Sequence, residues 1–384
     1  MFRHMPFILI GIVVLIVCFY EYIPYSLQAF LYGISLSIKS LIIFLLPFII
    51  FGLLFKAATN LASHATKIVS LILIMVCCSN FLSTFLSHYV GEWIYHSDIT
   101  ITVPAARSAL EPRGVLEFPK LIPNSIAMFL GLGLGILLSC FYPAFAQKMA
   151  HRLNYGVGIF LRYFSFLIPF FVGGFIIKLQ AEGTLALLIK DYTIIFLTIA
   201  TAQFSYIILL YFVASKMRLI SFVKALKNMF PSAIAGFSTM SSAAAMPLTL
   251  LGVQKNVQSP SLARSVIPST VNVHLIGDCF AIPILAYAIL KNFEVPEPSL
   301  GVWMIFTFYF VFAKFSVAAI PGGGIIVMLP ILENYLGFNA EMMSLITALY
   351  IFFDPVITSA NVLGNGGFAM ILDQLFLKNL KAES

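Results

Sequence analysis

Uninterrupted apolar runs of helical length recur along almost the whole of this 384-residue chain, and a lipid bilayer is the solvent they fit. Spans are predicted at 5–23, 37–60, 67–91, 124–146, 156–180 and 191–215. At about 1.5 Å of rise per residue, each is long enough for roughly 30 Å of hydrocarbon. The runs are continuously apolar, so helices suit them and the alternating pattern of a membrane barrel does not. Composition points the same way: 61% of residues are hydrophobic and 10% charged, against about half and a quarter in a soluble domain. The net charge of +7 does not indicate a nucleic-acid partner, because the basic residues are scattered through short loops without interleaved aromatics.

Those basic residues instead orient the chain. Arg3, Lys56, Lys67, Lys148, Arg152, Lys216, Arg218, Lys224, Lys227, Lys255, Arg264, Lys378 and Lys381 fall on one side. They outnumber Lys39, Arg107, Arg113, Lys120, Lys178, Lys190 and Lys291 on the other, which predicts cytoplasmic N- and C-termini in the inner membrane. Arg162 and Lys314 lie inside candidate spans. The run Phe7–Phe19 is read as a retained first helix, since Tyr20-Glu21-Tyr22 offers no small-residue cleavage pattern. Cys18, Cys77, Cys78, Cys140 and Cys279 have no metal-ligand spacing and read as small apolar residues, Cys279 being set beside an acid.

Two later segments break the simple pattern. Residues 229–252 and 310–336 each read as two short apolar arms joined at a small-residue apex. Ser241-Ser242-Ala243-Ala244-Ala245 forms one apex and Ile320-Pro321-Gly322-Gly323-Gly324 the other. Irregular backbone in lipid must be buried in protein or line a cavity. The helix after each apex is also predicted to be interrupted, in one case around Asn272–Asp278 and in the other from Asp354-Pro355 through Gly367. Repeated hairpin and broken-helix units point to a solute site near the bilayer midplane.

The strings SSAAAMPLTL (241–250), VIPSTVNVHLIGD (266–278), AAIPGGG (318–324) and DPVITSANVLGN (354–365) together resemble the dicarboxylate/amino acid:cation symporter family, the glutamate transporter fold. The resemblance implies an all-α polytopic membrane protein with eight transmembrane helices, two re-entrant helical hairpins and inverted repeats. It also implies a homotrimer working as an elevator. Residues 1–220 would be mainly scaffold, with helices 3 and 6 contributing to a transport unit formed chiefly by 221–384. Asp354, Thr358 and Asn361 match substrate-contacting positions, and Ser241, Ser242, Pro321, Gly322 and Gly323 the enclosing tips. Ile357 stands where relatives carry an arginine for a second carboxylate. Asn365, Ile276 and Tyr350 stand where relatives carry acids, and Asp278 is an additional acid. These departures argue against an acidic substrate and against the family's usual sodium ligands.

Asp278 and Asp354 lie deep in apolar sequence and must be paired, protonated or exposed to a cavity. The reading preferred over a structural polar pair is ligand or ion coupling. His274, one turn before Asp278, suggests a proton relay, while a satisfied core histidine is the plainer alternative. Lys314 is a vestibule charge, a neutralising partner for an acid, or a topology marker. Sodium could use the neutral oxygens of Asn272, Asn361 and Asn365, and protons could use His274, Asp278 or Asp354. No other cofactor is expected, and no nucleophile–base motif marks an enzyme. The expected function is cation-coupled symport of a small amino acid or related polar solute, in contact with membrane lipid. The alternatives are an acidic amino acid or dicarboxylate symporter, or a transport-inactive receptor or channel.

Overall fold

A computed structural model describes residues 5–63, 67–97, 110–119, 121–183, 185–315, 317 and 322–382. Every regular element among them is helical. Helix α1 covers Met5–Phe19 and passes through a 3-10 turn, Tyr20–Tyr22, into α2, Tyr25–Ser63. Then follow α3 (Lys67–His96), α4 (Asn124–Phe141), α5 (Pro143–Ala181) and α6 (Leu185–Ala214). Among the described residues, Ile72–His96, Tyr192–Ala214 and Ala340–Leu375 are long and apolar enough to cross a membrane. Large apolar side chains such as Leu15, Leu197, Phe170 and Phe308 are left exposed on the outer helices, as in a multi-pass membrane protein. The predicted fourth span is shorter than expected. Tyr142 leaves helical geometry, and Pro143 opens α5 at the position where its missing N–H costs nothing.

The C-terminal half begins with α7 (Leu219–Thr239) and α8 (Ser242–Gln254), which pack against each other across a two-residue turn. The turn falls at Met240, in left-handed geometry with φ 50°, and Ser241, whose hydroxyl caps α8 by accepting from the Ala244 amide at 3.3 Å. The apex is therefore tighter than predicted, and Ser242 through Ala245 already form the first turn of α8.

The next helix is interrupted as expected. Helix α9 (Pro260–Thr270) ends, and α10 (Ile276–Asn292) begins after a non-helical stretch at 271–275. Asn80 of α3 holds the interruption. Its amide nitrogen donates to the Val273 carbonyl at 2.7 Å, and its oxygen accepts from the Leu275 amide at 3.3 Å. Backbone groups freed by the break are thereby satisfied inside the protein.

Helices α11 (Leu300–Lys314) and α12 (Gly323–Leu336) form the second packed pair. Gly322 enters α12 at φ 71°, a conformation that favours glycine. Pro321 and the rest of 318–321 lie outside the described residues. The last helix, α13, runs from Ala340 to Ala382, with Asn339 accepting from the Glu341 and Met342 amides at 2.9 Å each. Here an expectation fails, because α13 is continuous through Asp354-Pro355 and the glycines at 364, 366 and 367. Pro355 removes one amide from the ladder, but packed neighbours keep the helix intact.

Helices α2, α4 and α5 pack chiefly on one another, while α3 and α6 pack on α10 and α13. Helix α10 lies at the centre, with Ile276 through Leu290 all buried. Between Ile276 and Leu290 its sequence is apolar all round apart from Asp278 and the Tyr287 hydroxyl, as suits an enclosed helix.

Candidate functional site

Helix α13 carries Tyr350, Asp354, Thr358, Asn361 and Asn365 on one face, at spacings of three or four residues. All five are buried, and they face α10 and the entry to α12. Asp354 is the acid beneath that entry. One carboxylate oxygen accepts from the Gly322 amide at 2.8 Å, and the other from the Thr358 hydroxyl at 2.8 Å. Both donors are neutral.

Asp278 has a different environment. It occupies the first turn of α10, where the helix dipole favours an anion. Its carboxylate binds the Lys314 ammonium at 2.9 Å, the Tyr350 hydroxyl at 2.8 Å and the Asn361 amide nitrogen at 3.2 Å. The Asn361 oxygen returns to the Asp278 amide at 3.4 Å, tying α10 to α13. Lys314 comes from the last turn of α11, where a cation is favoured, and its Nζ also lies 4.4 Å from the centre of the Phe310 ring. Lys314 and Asp278 are only 0% and 1% exposed, so water does not screen the pair. Of the sequence readings for Lys314, this is the neutralising partner of an acid.

The second glycine of α12 brings that helix onto the same cluster. A Cβ at Gly324 would stand 2.4 Å from the Tyr350 hydroxyl and 2.6 Å from Asp278 Oδ2. Gly277 makes a similar approach on α10, where a Cβ would fall 2.3 Å from the Ile357 carbonyl. The first pair reaches α13 alongside. Ser359 donates to the Ala233 carbonyl at 2.7 Å, and Gly236 packs on Thr358 and Val362. Both helix pairs therefore converge on α13 between Asp354 and Val362.

His274 lies in the interruption rather than one helical turn from Asp278. Its Nε2 shares a 2.9 Å hydrogen bond with the Ser79 hydroxyl, and its ring stacks 4.2 Å from Phe368. No bond to Asp278 is among its contacts, so the helical spacing behind the His274–Asp278 relay is absent and the relay loses its geometric basis. Asn365 donates through Nδ2 to the His274 carbonyl at 3.2 Å and to the Asn361 carbonyl at 3.0 Å. Asn365 Oδ1 and His274 Nδ1 are buried without a hydrogen-bond partner among the described residues. Asn272 is exposed and stands apart from this buried set. Ser241 is the cap of α8, and Ser242 is buried beside it. Gly323 is buried in the first turn of α12. Ile357 is fully buried and supplies no charge.

Sequence reasoning missed Asn80, Ser79 and the role of Tyr350. The spacing of the α13 stripe would have revealed Tyr350. Asn80 and Ser79 lie nearly two hundred residues from their partners in the chain, so only the fold brings them there.

Residues 5–375 match the Sodium:dicarboxylate symporter family. Excitatory amino acid transporter 4 of Mus musculus is 25% identical over 300 residues, covering 74% of this chain and 49% of the relative. Excitatory amino acid transporter 1 of Homo sapiens is 23% identical over 277 residues, covering 68% and 50% respectively. The chain thus spans about half the length of the curated relatives it matches.

Proposed function

The chain belongs to the Sodium:dicarboxylate symporter family, a family of transport proteins and not of enzymes, and from that premise we propose that it is a cation-coupled symporter of a small amino acid or related polar solute. One observation carries this reading: among the described residues, the hydrogen bonds to the buried acid Asp354 come from neutral dipoles, and one of those dipoles is the Gly322 amide at the mouth of the second helix pair. An ammonium group is a stronger partner for a desolvated carboxylate than a neutral amide. A solute amine that binds Asp354 competes directly with Gly322, so binding and opening of α11–α12 are linked through one oxygen.

The carboxylate of the solute would then lie against the tips, among Ser241, Ser242, Pro321, Gly322, Gly323 and the side chains of Thr358 and Asn361. Ile357 supports a solute with one carboxylate, since no guanidinium is there to clamp a second. The names of the relatives support an amino acid as the solute class. For a coupling sodium ion, the carbonyls of His274 and Asn361 are suitable oxygens, provided Asn365 turns its amide so that Oδ1 joins them. The alternative coupling ion is a proton on Asp354.

We read α7–α8 and α11–α12 as re-entrant pairs in an inverted repeat, alongside eight spanning segments, with both termini cytoplasmic in the inner membrane. Packing of α3 and α6 against α10 and α13, apart from the mutual packing of α2, α4 and α5, supports a moving unit and a scaffold. The scaffold would assemble as a trimer and the unit would travel as an elevator. Uptake of labelled alanine or serine into proteoliposomes under imposed sodium or proton gradients tests the proposal. Saturable accumulation driven by either gradient is expected. Solute binding without accumulation would make the protein a receptor, and unsaturable flux would make it a channel.

A further inference from the structure

We propose that Lys314 is a tethered cation, whose ammonium fills on Asp278 a position that a diffusible inorganic cation would otherwise have to occupy. The inference rests on the transporter reading above, but its test does not require transport.

Three features of the geometry support it. First, Asp278 Oδ1 accepts from the Tyr350 hydroxyl and from the Asn361 amide nitrogen, two neutral donors that fix the carboxylate without supplying positive charge. Among the described residues, the positive charge on this carboxylate is Lys314 Nζ, 2.9 Å from the other oxygen, Oδ2. Second, a carboxylate this deeply enclosed must be paired with a cation or take up a proton, and here it is paired with the Lys314 ammonium. Third, the ammonium belongs to the mobile element of the proposed mechanism. Lys314 ends the first arm of the second pair, and Gly324 in the other arm presses on the same Asp278 oxygen. When this pair closes, the cation and the steric wall arrive together.

Charge compensation at Asp278 therefore comes from within the chain. Asp278 and Lys314 cancel, and in this cluster only Asp354 is left to be matched by something that diffuses in. Closing of the second pair then needs no free cation at Asp278, which lowers the number of ions the cycle must carry.

The test is thermal unfolding of the purified full chain in detergent, with sodium chloride titrated against choline chloride at constant ionic strength. The variants are K314A, D278N and K314A/D278N. K314A removes the ammonium and leaves room for an ion. It is expected to be destabilised in choline and to gain a sodium-dependent rise in Tm, on the order of 5 °C, beyond any shown by the wild type. In K314A/D278N, which lacks both charges, that extra rise should vanish and stability in choline should largely return. D278N alone leaves the buried ammonium unpaired, and sodium should not rescue it. The proposal is overturned if K314A responds to sodium no more than the wild type. It is equally overturned if the extra response survives in the double variant, or if K314A is lost in every salt while the double variant folds. A protein that passes this test but accumulates no amino acid would refute the transport reading and leave the tethered cation standing.

Discussion

Gly324→Ala tests how tightly the second helix pair is built against the acid cluster. The added methyl would lie 2.4 Å from the Tyr350 hydroxyl and 2.6 Å from Asp278 Oδ2. A normal carbon–oxygen contact is about 0.8 Å longer, so one side must yield. Neither side is a loose end. Asp278 is held by Lys314, Tyr350 and Asn361, and Tyr350 is 2% exposed. Overpacking costs about 1–3 kcal/mol, and stretching hydrogen bonds to a charged group adds about 1.5–3 kcal/mol if one is lost. With one such bond lost, the expected loss is roughly 2.5–6 kcal/mol, read as a fall in Tm of roughly 5–12 °C in detergent. Gly156→Ala on α5 is the control, because nothing lies within 4 Å of its added Cβ. It should be neutral or gain up to about 1 kcal/mol from helix propensity. A G324A protein as stable as G156A would refute the close approach of α12 to Asp278.

Other consequences follow from the same contacts. Asp354→Asn keeps the shape but removes the anion, and should lower solute affinity about 10- to 100-fold in a binding titration, as expected for a lost charged hydrogen bond. Asn80→Ala strips two hydrogen bonds from the interruption between α9 and α10. It should destabilise the protein by about 2–4 kcal/mol, measured by thermal unfolding, because a buried carbonyl and amide are left unpaired. In competition for binding, alanine and serine should displace labelled solute at lower concentrations than aspartate or succinate. Ile357→Arg should narrow that gap by at least tenfold if the buried guanidinium reaches the bound solute.

Much of the fold was legible in the sequence for a simple reason. A bilayer forces every backbone amide to find a partner within the chain, so long apolar runs have to be helices. The interruption at 271–275 could be read because Asn272, His274 and Gly277 weaken an apolar helix at one place. The break between α4 and α5 was equally readable from Pro143, yet the span predicted there ran through it to 146. At Asp354-Pro355 the same logic misled. One missing amide costs little when the helix around it is buried on several sides, and α13 stays continuous. The site was half legible. Asp278 and Asp354 stood out as acids in apolar sequence, but their different roles depend on which donors reach them. Lys314 lies 36 residues from Asp278 and on another helix, and no local pattern announces that pairing. His274 showed the opposite error: its spacing from Asp278 is helical in sequence, but the backbone between them is not.

The most direct measurement is a structure of the protein with a small neutral amino acid bound. The account predicts density for the amine within hydrogen-bond distance of Asp354, with the Gly322 amide released from that carboxylate and the Lys314–Asp278 pair intact. Solute density elsewhere, or an undisturbed Gly322–Asp354 bond beneath a bound solute, would contradict it.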